Sequence, residues 1–148
     1  MAAAAPSIHA GAVLIGASAV LIRGHAGAGK SHLALALLQA AAAGVLPFAR
    51  LVADDRCHLE ACGGRLLVRP AAELAGLIEI RGLGIRRMAY EPAAVVGLVA
   101  NLGVIDTERL PGATRQHILI SGIRLPCLEV PAGVEALAFV LAAVQTRA

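Results

Sequence analysis

Residues 24–31 read Gly-His-Ala-Gly-Ala-Gly-Lys-Ser and follow the pattern G-x-x-x-x-G-K-[ST] of a phosphate-binding loop. In such a loop the glycines let successive backbone N–H groups point at phosphate oxygens, and the following helix adds the positive end of its dipole. Lys30, the only lysine of the chain, is predicted to reach the β- and γ-phosphates, and the Ser31 hydroxyl to bind Mg²⁺. The alternative is a Gly-rich turn that binds nothing. The predicted nucleotide-binding residues are Gly24, His25, Ala26, Gly27, Ala28, Gly29, Lys30 and Ser31.

An acidic pair follows the loop. Asp54 and Asp55 stand side by side after an apolar Leu-Val-Ala run, which predicts a buried strand that ends in carboxylates. Such a strand brings an acid to the metal and the γ-phosphate in phosphate-loop enzymes. One carboxylate can orient Mg²⁺ through water while the other accepts a proton from an attacking hydroxyl. The alternative is a turn after the strand, because Asp favours such positions.

A second charged segment, residues 79–85, reads Glu-Ile-Arg-Gly-Leu-Gly-Ile. Residues i and i+2 of a strand face the same way, so Glu79 and Arg81 are expected to point together into a cleft. Glu79 would then be a metal ligand and Arg81 would contact phosphate. The alternative is a salt bridge between the two at the end of a strand.

These residues need a scaffold of alternating strands and helices near the N-terminus. Strands and helices alternate only there, which predicts an α/β fold with a mixed sheet, as one phosphate-loop domain over residues 1–148. A polar hairpin is predicted over residues 57–69 with its turn at Gly63-Gly64. The predicted strands are residues 11–15, 19–23, 50–54, 77–81, 95–101 and 117–124, and the predicted helices are residues 30–43 and 134–145.

Composition excludes several classes of function. Aromatic residues make up 2% of the chain and the formal net charge is +3, which argues against a nucleic-acid-binding protein that stacks bases on aromatic rings. The most apolar stretch, residues 33–49, is interrupted by polar and helix-breaking residues, so we expect a core helix and no membrane span. No basic residue precedes an apolar segment at the N-terminus, and we expect a cytoplasmic protein. The three cysteines lack metal-site spacing and fit reduced thiols: Cys57, Cys62 and Cys127.

The motifs together resemble the catalytic domain of HPr kinase/phosphorylase. The resemblance covers most of the chain, and it rests on Ile8-His9, the phosphate loop, the Leu-Val-Ala-Asp-Asp segment and residues 79–85, the last being the most specific. It implies the HPr kinase/PEP carboxykinase-like nucleotide-binding core. It also implies a kinase that uses ATP and Mg²⁺ to phosphorylate a serine of the phosphocarrier protein HPr, in regulation of the phosphotransferase system. In the reverse reaction, inorganic phosphate attacks the phosphoserine and yields pyrophosphate.

The resemblance also implies roles for single residues. His9, Lys30 and the Asp54-Asp55 pair match active-site residues of the family, and Asp55 is favoured as the base. Arg109 matches an active-site arginine. Ser31 and Glu79 match the magnesium ligands. A homo-oligomer, a hexamer by resemblance, is expected.

The sequence departs from the family pattern at several places. The loop begins too early to leave room for the family's N-terminal domain, so we expect a short form like those of alphaproteobacteria. Ala26 replaces a serine, His32 stands where an acidic residue is common, and residues 122–128 match the segment tied to dephosphorylation poorly. The kinase direction is therefore the better supported one. Two other functions stay open: a non-catalytic nucleotide sensor and a small-molecule kinase.

Overall fold

A computed structural model describes residues 6–105 and 114–146, and this part contains ten strands and two helices. The strands are β1 Ala10–Ile15, β2 Ser18–Arg23, β3 Ala49–Ala53, β4 Cys57–Cys62, β5 Arg65–Pro70, β6 Leu77–Ile80, β7 Gly84–Arg87, β8 Ala94–Val104, β9 Thr114–Ile120 and β10 Ile123–Pro131. The helices are α1 Lys30–Ala42 and α2 Ala136–Gln145, and a short 3-10 turn spans Ala72–Leu74.

The main sheet is mixed, as predicted, and its strand order is β3-β1-β2-β8-β10-β9. Strands β2, β8 and β10 run parallel, while β1 is antiparallel to both β2 and β3, and β9 is antiparallel to β10. The β4–β5 hairpin joins this sheet through β5 and β8, and β6–β7 forms a separate hairpin. As a result, the carboxyl ends of β3, β2, β8 and β10 lie along one border of the sheet, here called the carboxyl edge. Ligands of open α/β sheets bind outside this edge.

Both faces of the sheet are buried, which explains why its central strands are apolar at nearly every position. Helices α1 and α2 cover one face, where Leu33, Leu37 and Val140 pack against the strands. The β4–β5 hairpin covers the other face with Leu66 and Val68. The strand residues alternate between the two clusters, as Leu21 and Ile22 do in β2. The phosphate loop is therefore attached to a strand that is fixed on both sides.

The amino-acid sequence explains where helix α1 begins and ends. It consists largely of Ala and Leu, which have high helix propensity, and it begins directly after Gly29. Gly44, with φ 81, follows its last turn, and the Gly44 N–H donates to the carbonyl of Ala41 at 3.0 Å. The helix buries its apolar side against the sheet, which confirms the predicted core helix. Within residues 6–105 and 114–146, no helix has the length and apolar character needed to cross a membrane.

The structure corrects two predicted strands. The strand expected over residues 117–124 is two strands, β9 and β10, joined by a turn at Ser121-Gly122 with φ values of 51 and 79. Left-handed values at both turn residues are typical of a two-residue hairpin. The strand expected over residues 77–81 ends at Ile80, so Arg81 lies in the turn before β7, a strand that was not predicted. The hairpin with a turn at Gly63-Gly64 is confirmed.

Candidate active site

The phosphate loop connects β2 to α1 at the carboxyl edge. Gly27 and Gly29 have φ values of 85 and 99, a left-handed conformation that favours glycine. The Lys30 ammonium donates to the backbone carbonyls of Gly24 at 2.9 Å and His25 at 3.2 Å, so the lysine side chain folds over its own loop. A Cβ atom on Gly24 would lie 2.9 Å from the Cβ of Ala28, which explains the glycine there.

Asp54 is a buried carboxylate that joins the loop to β6. Asp54 is only 5% exposed to solvent. Oδ1 accepts a hydrogen bond from the Ser31 hydroxyl at 2.7 Å, and Oδ2 accepts one from the backbone N–H of Glu79 at 3.0 Å. Both oxygens therefore have a donor, and Asp54 connects the two residues that were predicted to bind magnesium.

Asp55, the next residue after β3 and Asp54, is exposed and faces His9, not Ser31. Its Oδ1 is 3.6 Å from Nδ1 of His9, and the two side chains are 63% and 62% exposed. The Arg56 guanidinium lies 2.9 Å from Nε2 of His9 and donates to the Ser7 hydroxyl at 3.1 Å. Because a guanidinium can only donate, Nε2 accepts and the ring proton of neutral His9 is on Nδ1, facing Asp55.

The structure brings together most of the predicted site. The phosphate loop, His9, Asp54, Asp55 and Glu79 lie around the carboxyl ends of β2 and β3. Glu79 lies in β6, whereas Arg81 lies in the turn that follows, so the joint orientation of the two side chains stays a prediction that no longer rests on strand geometry alone. Among the described residues, the ion pairs do not include one between these two side chains. Arg109 lies outside the described residues.

Arg56 is the residue of this site that the sequence did not reveal. An isolated antiparallel bridge between Ile8 and Cys57 places the segment before β1 beside the segment after Asp55. Its two backbone hydrogen bonds, at 2.8 and 3.1 Å, hold Ser7 and His9 within reach of the guanidinium. The one available signal is that Arg56 follows the acidic pair directly, and this position alone does not predict its partners.

The donor set around Asp54 fits a hydrated magnesium ion. Within the described part of the chain, no group of three or more His, Cys, Asp and Glu side chains could hold a metal. Magnesium does not need such a group, because it keeps several waters and takes one or two protein oxygens together with substrate phosphates. The proton of the Ser31 hydroxyl is directed at Asp54, which leaves its lone pairs free for a cation. The exposed carboxylate of Glu79 follows directly on the same backbone.

The buried thiols are not nucleophiles at neutral pH. Burial raises the pKa of Cys57 from 9.0 to about 12. Burial also raises the pKa of Cys127 to about 11, and the Glu129 carboxylate adds to this effect. Cys127 belongs to a polar network at the carboxyl edge, in which Asn101 contacts both Cys127 and Glu129 and accepts from Arg23 at 2.9 Å. This network fixes the strand that leads into the phosphate loop.

Comparison with known proteins agrees with this geometry. Residues 1–145 match the family described as HPr Serine kinase C-terminal domain. The chain belongs to this family. The HPr kinase/phosphorylases of Streptococcus thermophilus and Geobacillus thermodenitrificans are 32% and 34% identical to it, in alignments of 136 residues that cover 84% of the chain. The chain spans 42% of the length of these curated relatives.

A solved structure matches the whole fold. The structure of the Hpr(Ser) kinase/phosphatase from Coxiella burnetii is similar with a TM-score of 0.75 and 26% sequence identity, over 95% of each chain. The match confirms the predicted resemblance to the HPr kinase fold, with its mixed sheet.

Proposed function

We propose that this chain is an ATP-dependent protein serine kinase that phosphorylates a serine of the phosphocarrier protein HPr. Membership of the HPr serine kinase family and the names of its relatives support this activity. The observation that carries the proposal is the separation of the two adjacent carboxylates. Asp54 is buried with both oxygens bonded, whereas Asp55 is exposed beside the phosphate loop and is available to an incoming hydroxyl.

In the proposed reaction, the backbone N–H groups of the loop hold the β-phosphate, and Lys30 neutralises charge on the β- and γ-phosphates. Magnesium, held through Ser31 and Glu79, would supply further charge neutralisation at the phosphate oxygens. The serine hydroxyl of HPr gives its proton to Asp55 while its oxygen forms a bond to the γ-phosphorus. The bond between the γ-phosphorus and the bridging oxygen breaks, and ADP leaves with that oxygen. A general base of this kind contributes about 10²- to 10⁴-fold.

His9 and Arg56 are proposed to position the base. The Nδ1–H of His9 faces Asp55 Oδ1, and Arg56 holds the other ring nitrogen, so the ring can limit the orientations of the carboxylate. In the reverse direction, the same carboxylate would return the proton to the serine oxygen. Arg81 and Arg109 remain candidates for phosphate contacts in this proposal.

The openness of the acceptor site favours a protein substrate over a metabolite. A small-molecule kinase encloses its acceptor, but the side chains of Asp55 and His9 are each more than 60% exposed. The β6–β7 hairpin that follows Glu79 also exposes two large apolar side chains, Leu83 at 61% and Ile85 at 69%. Apolar groups of this kind beside a site are typical of a surface that a protein partner covers. The expected hexamer and the cytoplasmic location belong to the same proposal.

The test is transfer of labelled γ-phosphate from ATP to purified HPr with Mg²⁺. The wild-type chain is expected to label a serine of HPr, while Lys30→Ala and Asp55→Asn are expected to lose the transfer. A panel of metabolites run in parallel tests the small-molecule alternative. Tight nucleotide binding without labelling of either HPr or a metabolite would contradict the kinase and favour the nucleotide sensor.

A further inference from the structure

Three polar residues interrupt the apolar pattern of the central strands directly before the phosphate loop. They lie opposite one another on the parallel strands β2, β8 and β10 and are here called the polar row: Arg23, Asn101 and Glu129. Two residues earlier, each of these strands carries a residue of the cluster under the β4–β5 hairpin: Leu21, Val99 and Cys127. Because residues i and i+2 of a strand face the same way, the polar row continues this face of the sheet to the carboxyl edge.

Hydrogen bonds join the polar row into one unit. The Nε–H of Arg23 donates to Asn101 Oδ1 at 2.9 Å, and Asn101 Nδ2 donates to Glu129 Oε1 at 3.2 Å. A guanidinium only donates and a carboxylate only accepts, so a single orientation of the Asn101 amide satisfies both neighbours. Apolar side chains would join the strands with no loss of stability, because taking charges out of water carries a desolvation cost. A directional row of this kind therefore indicates a role in placing the strand end.

The first residue of the phosphate loop, Gly24, is joined to both partners of the Arg23–Asn101 bond. Gly24 follows Arg23 directly, and a Cβ atom on it would lie 3.1 Å from the backbone oxygen of Leu102, the residue after Asn101. The ends of β2 and β8 are thus held by a side-chain hydrogen bond and, one residue later, by a close backbone approach. The hydrogen bond therefore helps to set where the loop begins.

The Gly24 carbonyl in turn orients Lys30. The ammonium donates to the carbonyls of Gly24 and His25 at 2.9 and 3.2 Å. An ammonium has three N–H donors, so with two directed at the loop the third can face a phosphate oxygen. A displacement of Gly24 would move the ammonium with it, and a misplacement of about 1 Å in an active site can cost about a hundredfold in rate.

We infer that Arg23 is a positioning residue of the nucleotide site: it acts on Lys30 through the Gly24 carbonyl, and Asn101 and Glu129 hold it in place. This role rests on the proposed function, because Lys30 serves the phosphoryl transfer proposed above. It is nevertheless measurable in nucleotide binding alone, since Lys30 contacts the phosphates before any transfer. Arg23 itself makes no contact with the nucleotide in this role.

Two variants of Arg23 separate its hydrogen bond from the rest of the side chain. Glutamine carries its amide nitrogen on Cδ, where arginine carries Nε, so Arg23→Gln can still donate to Asn101, whereas Arg23→Met has a similar reach and no donor. Calorimetry with Mg²⁺ should show that Arg23→Met binds ATP about tenfold more weakly than the wild type, equivalent to roughly 1.4 kcal/mol. Arg23→Gln should stay within about threefold of the wild type. The matched control is Arg124→Met, at an exposed position near the start of β10, and it should leave ATP affinity unchanged.

The same measurement in a Lys30→Ala background tests the route through Lys30. There Arg23→Met should lower ATP affinity no further, because the group that Arg23 positions is missing. A purely structural role would instead lower the melting temperature equally in both backgrounds and leave the ATP affinity of the folded chain unchanged. If Arg23→Met does not fold, Asn101→Ala removes the acceptor of the same hydrogen bond and takes its place with the same expected values.

Three results would overturn the positioning role of Arg23. They are an unchanged ATP affinity in Arg23→Met, an Arg23→Gln variant that loses as much affinity as Arg23→Met, and an equal loss with and without Lys30. Any of them, found together with phosphate transfer to HPr by the wild type, would leave the proposed kinase intact. The expected affinities without transfer to HPr would refute the kinase and keep the positioning role.

Discussion

Replacing each aspartate of the pair by asparagine should separate structure from chemistry. Asp54→Asn keeps the size of the side chain, but it turns two hydrogen bonds to a carboxylate into neutral ones. The amide oxygen can accept from the N–H of Glu79, and the amide N–H₂ group then faces the Ser31 hydroxyl, which must become the acceptor. Hydrogen bonds to a charged group contribute about 1.5–3 kcal/mol and neutral ones about 0.5–1.5 kcal/mol. The variant should therefore lose about 2–3 kcal/mol of the free energy of unfolding.

Reversing the hydrogen bond between residue 54 and the Ser31 hydroxyl should also weaken magnesium binding. When the Ser31 hydroxyl accepts from the new amide group, its proton points outward toward the place where a cation would bind. Second-sphere changes of this kind typically lower metal affinity about 10- to 100-fold. We expect the half-saturating Mg²⁺ concentration for nucleotide binding to rise in that range, and the melting temperature to fall by about 2–4 °C per kcal/mol.

Asp55→Asn should leave stability and magnesium binding unchanged and lower the rate of phosphoryl transfer. The side chain is 63% exposed and its contact with His9 is 3.6 Å long, so the free energy of unfolding should stay within about 0.5 kcal/mol. Phosphoryl transfer to HPr should fall about 10²- to 10⁴-fold, with Mg²⁺ dependence unchanged. Thermal unfolding, magnesium titration and transfer assays on both variants give the answer. A stable Asp54→Asn enzyme without transfer, paired with an active Asp55→Asn enzyme, would refute the assignment of the base.

Three other results follow from the same geometry. His9→Ala should lower kcat about 10- to 100-fold, because the Asp55 carboxylate is then less constrained, and it should leave nucleotide affinity unchanged. An unaltered kcat and pH profile would show that the His9 ring does not position Asp55. Ile85→Ser should raise the KM for HPr about tenfold and leave the affinity for ATP unchanged. The control is Leu119→Ser, because Leu119 is equally exposed, at 69%, but lies near the other edge of the sheet. This control should change neither the KM for HPr nor the affinity for ATP. Burial raises the pKa of Cys57 from 9.0 to about 12, so between pH 9 and 12 the thiol ionises in the unfolded chain but not in the folded one. The free energy of unfolding should therefore fall as the pH rises through this range. Urea titrations of Cys57→Ala should show a smaller fall.

The parts of the site that are contiguous in sequence were predictable. The phosphate loop, the start of α1 and the acidic pair each depend on neighbouring residues, and the structure places them at one edge of the sheet, next to each other. The helix could be recognised because Ala and Leu leave few alternatives between Lys30 and Gly44. The mixed sheet followed from the loss of strand and helix alternation after Asp55.

The rest depends on residues distant in the chain. The role of Asp54 follows from a hydrogen bond to Glu79, 25 residues away, and Arg56 reaches His9 across 47 residues. A cavity next to the phosphate loop is lined by residues from three segments, 25–33, 102–103 and 130–136, which the parallel pairing of β2, β8 and β10 helps to bring together. The strand predicted over residues 117–124 is wrong for a local reason, since apolar residues lie on both sides of the Ser121-Gly122 turn and resemble one strand.

The backbone at Asp55 explains how two adjacent carboxylates come to have different environments. Asp55 has a φ of 71, and the N–H of Arg56 donates to the carbonyl of Asp54 at 2.8 Å. A hydrogen bond from residue i+2 to residue i around a positive φ is the rarer and more strained form of γ-turn. Such conformations cost about 1–3 kcal/mol and persist where the surrounding structure enforces them. Here the bridge between Ile8 and Cys57 holds the far side of the turn.

That turn has a direct consequence for the site. An extended residue 55 would send its side chain to the opposite face of the sheet from Asp54, toward the cluster under the β4–β5 hairpin. The turn instead directs the carboxylate out to solvent and to His9, which itself lies within a hydrogen-bonded turn where Ala10 donates to Ile8 at 3.1 Å. Asparagine has nearly the same size and shape as aspartate, so Asp55→Asn removes the base while adding no steric obstacle to the turn. This is why the loss of transfer in that variant can be attributed to the missing carboxylate.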